Sequence, residues 1–149
     1  MRTLSCTLAP FRTAGEGHFI MRQASRRVFV YGSLKHGYAL HRLLQSQQFL
    51  GVAVTAPQYR LFDLGEYPGL VEWPQGLPIH GEVYEVDLDC LCRLDAAEGV
   101  AECFYARRPV ALQSGFINMN VDAWFWLRSV SGLRDCGMSW PGSESSPVK

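Results

Sequence analysis

The sequence predicts an α+β fold in which a curved or closed mixed sheet carries one or two helices. Three observations lead there. Short β-branched and aromatic runs recur between Gly and Pro turn formers. Only two stretches, 38–48 and 88–98, show apolar residues at helical spacing. The order of strand, helix, several strands, helix and two strands supplies too few helices for alternating βαβ units.

Val28-Phe29-Val30-Tyr31 is a short apolar run closed by Gly32, as expected of a buried strand entering a tight turn. Leu40, Leu43 and Leu44 predict a helix over 38–48. Strands are then expected at 50–55, 58–64 and 69–73, punctuated by Pro57, Gly65 and Pro68, with a loop at 74–78. His80 to Asp87 reads as another strand. Leu88 to Glu98 reads as a helix, with Asp87 or Asp89 near its N-terminus and Gly99 just past its end. Strands at 104–112 and 119–127 flank a turn at Ser114-Gly115. The pattern fades after Ser129, and 142–147 is a polar tail expected to be mobile.

The division expected is a basic N-terminal extension over 1–26, a folded domain over 27–128 and a partly mobile tail over 129–149. The first 27 residues hold five arginines against one acid, Glu16. Such a head can be a transit peptide, but the favoured readings are a disordered tail or sequence upstream of a start at Met21; a secretory signal would need an apolar core that is missing here. Across all 149 residues Lys plus Arg is 14 and Asp plus Glu is 14, so no basic field points to nucleic acid. No apolar run approaches the roughly 20 residues of a membrane-spanning helix. Five cysteines, Cys6, Cys90, Cys92, Cys103 and Cys136, without a signal peptide predict reduced thiols and a cytoplasmic protein. Neither the cysteines nor His18, His36, His41 and His80 have metal-ligand spacing, so no metal site is expected.

Three places could carry chemistry. In Tyr31-Gly32-Ser33-Leu34, a strand ending in Gly-Ser can leave consecutive backbone N–H groups free to bind a carboxylate or oxyanion. In the second helix, the apolar stripe Leu88, Leu91, Leu94 continues onto position 98, where the chain has a glutamate. Asp89 and Asp95 fall off that stripe. A carboxyl on the inward face, at the negative end of a helix dipole, has its pKa raised and can act as a general acid–base. The third place is a set of aromatic and basic residues: Tyr84, Tyr105, Arg107, Arg108, Trp124 and Trp126. Alternation puts Tyr105 and Arg107 on one face of their strand. Ser33 with His36 or His41 would suggest a serine hydrolase, but no acid is placed to orient either histidine and the G-x-S-x-G elbow is missing.

Together, Val28-Phe29-Val30-Tyr31-Gly32-Ser33-Leu34, Gly81-Glu82-Val83-Tyr84 and Leu94-Asp95-Ala96-Ala97-Glu98 with Tyr105-Ala106-Arg107 resemble the gamma-glutamylcyclotransferase-like superfamily. The resemblance implies a small mixed β-barrel flanked by two or more helices, with a cavity at one end. It implies that Tyr31, Gly32, Ser33 and Leu34 bind the glutamyl end of a small-molecule substrate, with Tyr105 beside them and Glu98 as the catalytic acid–base. The reaction implied is cyclisation of a gamma-glutamyl amine or peptide to 5-oxoproline with release of the amine, by a cyclotransferase or lyase without a cofactor. One departure is at 123–126, where a tyrosine is common in the family and this chain reads Ala-Trp-Phe-Trp. The other functions weighed are a non-catalytic module that binds a small carboxylate on the same fold and, less favoured, the hydrolase using Ser33.

Overall fold

A computed structural model describes residues 24–113 and 115–142. The extension over 1–23, Ser114 and the tail from 143 onward lie outside the described residues. Seven strands and one α-helix follow in order: β1 (Ser25–Val30), β2 (Gln48–Val54), β3 (Tyr59–Asp63), β4 (Pro68–Glu72), β5 (His80–Asp87), α1 (Leu88–Glu98), β6 (Tyr105–Pro109) and β7 (Asp122–Trp126). The strands form one mixed sheet in the order β2-β5-β1-β7-β4-β3, with β6 also on β7, and the sheet curls into a half-barrel.

The expected helix over 38–48 is reduced to a four-residue 3-10 turn, His41–Leu44. Leu44 is buried and Leu40 and Leu43 pack on the same cluster, so the apolar spacing reports burial correctly. An α-helix does not start, because 34–40 offers no Ser, Thr, Asp or Asn to cap it and no side chain caps the turn. The last two strands are also shorter than expected, at 105–109 and 122–126. Helix α1 occupies the range expected. Asp87 Oδ1 accepts from the N–H of Cys90 at 2.7 Å. Gly99, at φ 72°, closes the other end: its N–H donates to Ala96 O and that of Val100 to Asp95 O.

Strand β1 lies inside the sheet, antiparallel to β5 and parallel to β7. Val28 and Val30 face one cluster, with Leu94, Tyr105 and Trp124; Phe29 and Tyr31 face the other, with Leu61, Leu70 and Phe125. Both faces are covered, which is why this strand reads as an unbroken apolar run. Strand β6 takes one edge of β7 over its full length. The other edge is shared, with Val28 of β1 opposite Asp122 and Leu70 of β4 opposite Phe125. The sheet therefore divides along β7, and the end of β1 meets the start of β4 there.

Residues 133–140 pack against the sheet although their sequence shows no alternation. The N–H of Cys136 donates to Leu61 O at 2.7 Å, Asp135 bridges Phe62, and Cys136 and Trp140 are buried. Among the described residues, Cys90, Cys103 and Cys136 are free thiols. Among the described residues no helix is long and apolar enough to cross a membrane.

Candidate active site

At the division of the sheet, the chain leaves β1 through Tyr31-Gly32-Ser33-Leu34. Three carbonyls of this turn are pinned. Gly32 O accepts from the N–H of Lys35 at 2.9 Å and Ser33 O from the N–H of Leu40 at 2.9 Å. Leu34 O lies 3.0 Å from Nδ1 of His41. A trans peptide points its N–H opposite to its C=O. Fixing the carbonyls of Gly32 and Ser33 thus directs the N–H groups of Ser33 and Leu34 the other way. Among the described residues, the N–H groups of Gly32, Ser33 and Leu34 find no acceptor. Such a concavity of N–H groups suits an anion.

Glycine at position 32 is set by crowding. A Cβ there would lie 2.5 Å from Cδ and 2.6 Å from Cγ of Pro68. The missing side chain lets the turn close against the start of β4. On the far side, the Tyr31 hydroxyl donates to Trp124 O and that of Tyr105 to Pro68 O, both at 2.6 Å. These buried phenols tie β1 to β7 and β6 to β4 across the division.

The space left is a small cavity of about 20 Å³ bounded by Tyr31, Gly32, Ser33, Leu34, Glu98 and Tyr105. All six site residues expected from the sequence therefore meet at one place. Val30, Tyr67, Pro68 and Trp124 complete the wall and were not marked as site residues by the sequence. Trp124 stood among the aromatic candidates, and Tyr67 and Pro68 come from the loop 64–69, one of the variable loops (with 36–38 and 99–104) expected from the sequence to build the cavity wall. The other candidates are elsewhere. The Tyr84 hydroxyl donates to Glu82 Oε1, Arg108 is exposed, and Trp126 packs edge-on to Tyr105 at 5.1 Å. Glu102, four residues beyond Glu98, is exposed in the next turn. The His36 ring lies against His41, 5.1 Å between centroids, and among the described residues neither histidine hydrogen-bonds Ser33. A larger open groove of about 520 Å³, beside Lys35, His80 and Glu82, lies beyond the turn and holds no part of the Glu98 site.

Glu98 is the last residue of α1, half-buried and without a basic partner among the described ion pairs. Burial pushes its carboxyl up to about 7, and the nearby charge of Asp95 adds to the rise. Burial also raises the hydroxyls of Tyr31 and Tyr105, so both stay neutral. The raised carboxyl has a consequence for stability. In the unfolded chain it ionises near its ordinary value, so the folded state holds the proton more tightly. That contribution is complete below about 4.5 and is lost as pH rises to about 7. Replacing Glu98 by Gln is therefore expected to raise the melting temperature at pH 8 and to change it little at pH 4, as measured by thermal unfolding followed by circular dichroism. Equal shifts at the two pH values would contradict the buried setting.

Among the described residues, no group of three or more His, Cys, Asp or Glu side chains could hold a metal ion.

Comparison with known proteins agrees with this architecture. The model of the gamma-glutamyl cyclotransferase, AIG2-like family matches residues 28–140. A Vibrio cholerae protein named for the gamma-glutamylcyclotransferases is 55% identical over 73 residues, 49% of this chain; the match spans only 62% of that relative's length. The gamma-glutamylcyclotransferase family protein YtfP of Escherichia coli K12 is 36% identical over 110 residues, covering 72% of this chain and 88% of its own. The solution structure of Escherichia coli ytfP superposes with a TM-score of 0.60 at 32% identity, over 79% of this chain and 98% of that one. The crystal structure of an AIG2-like protein from Mus musculus superposes at 0.65 with 24% identity, over 78% and 88%, a likeness of fold. The family match begins in β1, takes in the turn, Glu98 and Tyr105, and ends at the buried Trp140, so the chain belongs to the gamma-glutamyl cyclotransferase, AIG2-like family.

Proposed function

We propose that the protein cyclises a gamma-glutamyl amine or peptide to 5-oxoproline and releases the amine, with Glu98 as general acid–base. The observation that carries this reading is the shared cavity. Glu98, with its desolvated carboxyl, and the residues of a turn whose N–H groups are unpaired line one small space. Membership of the family supports it independently.

In this reading the glutamyl end lies against the turn, and the N–H groups of Gly32, Ser33 and Leu34 hold its α-carboxylate or the oxyanion that forms at the γ-carbonyl. The ionised Glu98 takes a proton from the substrate ammonium. The freed amine attacks its own γ-carbonyl, closing a five-membered ring. Glu98 returns that proton to the leaving nitrogen as the original amide bond breaks, and the second proton, shed by the ring nitrogen on attack, passes the same way, so the amine leaves as an ammonium and proton and charge balance over the cycle. Both reacting groups belong to one molecule, so holding the chain in a folded-back conformation supplies much of the rate. A carboxyl near 7 is suited to both halves of this transfer at neutral pH. The cavity as it stands has room for about one water-sized group. Substrate entry therefore displaces a wall. Tyr67, 45% exposed beside the tight β3–β4 turn, is the wall side chain with most freedom.

The test is release of 5-oxoproline from a panel of gamma-glutamyl amines and peptides, followed against pH. The rate is expected to rise through a midpoint near 7 on the acid side, because the first step needs ionised Glu98. No release from any member of the panel would overturn the reading and favour a module that only binds a small carboxylate.

A further inference from the structure

Glu98 is one end of a charged cluster that the proposed mechanism does not use. Asp95 precedes it by three residues on α1, a spacing that makes the two side chains neighbours on the helix surface. Asp95 is held from two strands. Arg107 of β6 donates from Nε to Oδ1 at 3.0 Å and from Nη2 to Oδ2 at 3.2 Å, a two-pronged pairing. Trp124 of β7, which forms part of the cavity wall, donates its indole N–H to Oδ1 at 2.9 Å. The remaining arm of Arg107 reaches Asp122 at 3.1 Å. One guanidinium thus serves two carboxylates, and the cluster carries a net negative charge beside Glu98.

We infer that Asp95 and Arg107 are positioning residues for Glu98, which fix the cavity wall through Trp124 and set how readily the Glu98 carboxyl gives up its proton. The inference rests on the acid–base reading of Glu98 for its use, but not for its test. The groups around Glu98 leave few other sources of charge. Tyr31 at the end of β1 and Tyr105 on β6 are neutral phenols tied to backbone carbonyls, and Tyr67 approaches from the β3–β4 turn. Glu102 is exposed beyond the helix. The ionised neighbours that remain are Asp95, Arg107 and, behind it, Asp122. The Asp95 charge favours the protonated form of Glu98. The Arg107 guanidinium paired to Asp95 carries the opposite sign and offsets that charge. Asp95 lies off the apolar stripe because its partner is a guanidinium rather than the core.

Opposite signs give the test. Asp95→Asn and Arg107→Met break the same pairing, so a purely structural role would disturb both variants alike. An electrostatic role moves Glu98 in opposite directions. Its carboxyl midpoint is read by carbon-13 NMR on the full chain, with the signal assigned by its loss in Glu98→Gln. Asp95→Asn is expected to lower the midpoint, and Arg107→Met to raise it, each by about half a unit or more. Shifts of the same sign, or none, overturn the inference. If Arg107→Met does not fold, Arg107→Lys replaces it, keeping the charge while losing the two-pronged geometry. Its midpoint should stay near the wild-type value, and a shift as large as that of Asp95→Asn would overturn the electrostatic role. The acid limb of 5-oxoproline release should follow the NMR midpoints. Opposite NMR shifts in a protein that releases no 5-oxoproline would leave the positioning role standing and remove the cyclotransferase reading instead.

Discussion

Glu98→Gln is expected to lower the rate of 5-oxoproline release by about 10²–10⁴-fold, the range for a lost general acid–base. The substitution keeps the size of the side chain and its capacity for hydrogen bonding. It removes only the ability to accept and return a proton. Helix α1 should be unaffected, because its ends are fixed by Asp87 and Gly99 and not by the Glu98 carboxyl. The variant should therefore be folded, more stable than wild type above pH 7 and nearly inactive. The two measurements together separate a catalytic loss from unfolding, since damage to the fold would lower both. Activity within a few-fold of wild type would remove Glu98 from the mechanism.

Gly32→Ala is expected to cost about 1–3 kcal/mol of stability, the usual range for overpacking a filled site. The new methyl would sit 2.5 Å from Cδ of Pro68, a ring atom with little freedom to move aside. Relief requires the turn to shift away from β4, which carries the N–H groups of Ser33 and Leu34 with it. A misplacement on the order of 1 Å can cost about 10²-fold in rate, so kcat/KM should fall by up to that factor. Chemical denaturation measures the first effect and steady-state kinetics the second. Ser33→Ala is the control. It keeps the backbone N–H and removes only the hydroxyl, so its activity should stay near wild type. A Ser33→Ala variant as inactive as Glu98→Gln would instead favour a nucleophilic serine.

The parts legible in the sequence are those where local pattern and burial agree. Val28–Tyr31 is apolar throughout because both faces of β1 are covered, and α1 is bounded by an aspartate and a glycine that act as caps. Glu98 is conspicuous because it interrupts an apolar stripe. The helix expected at 38–48 shows how the same reasoning fails: leucine spacing reports which side chains are buried, but it cannot start a helix without a cap. Asp95 could not be identified as a site neighbour from its helix position, because its partners are 12 and 29 residues away, on β6 and β7. Residues 133–140 were invisible for a related reason. They pair with β3 at a single bridge and so leave no alternation.

The position of β1 within the sheet bears on the order in which the molecule can be assembled. Its neighbours begin at Glu82 on one side and at Asp122 on the other, and the loop after it is held by Lys35 Nζ donating to Trp140 O, 105 residues later. Closing loops of that length precedes any gain from the contacts they bring. During synthesis the strand that leads into the turn is made before its partners and stays unpaired on both edges until β5 and then β7 have followed. Folding should consequently be slow for a chain of this size, as expected for a sheet built from distant pairings. The turn is made before β5 and β7 and is among the last segments to acquire its final shape.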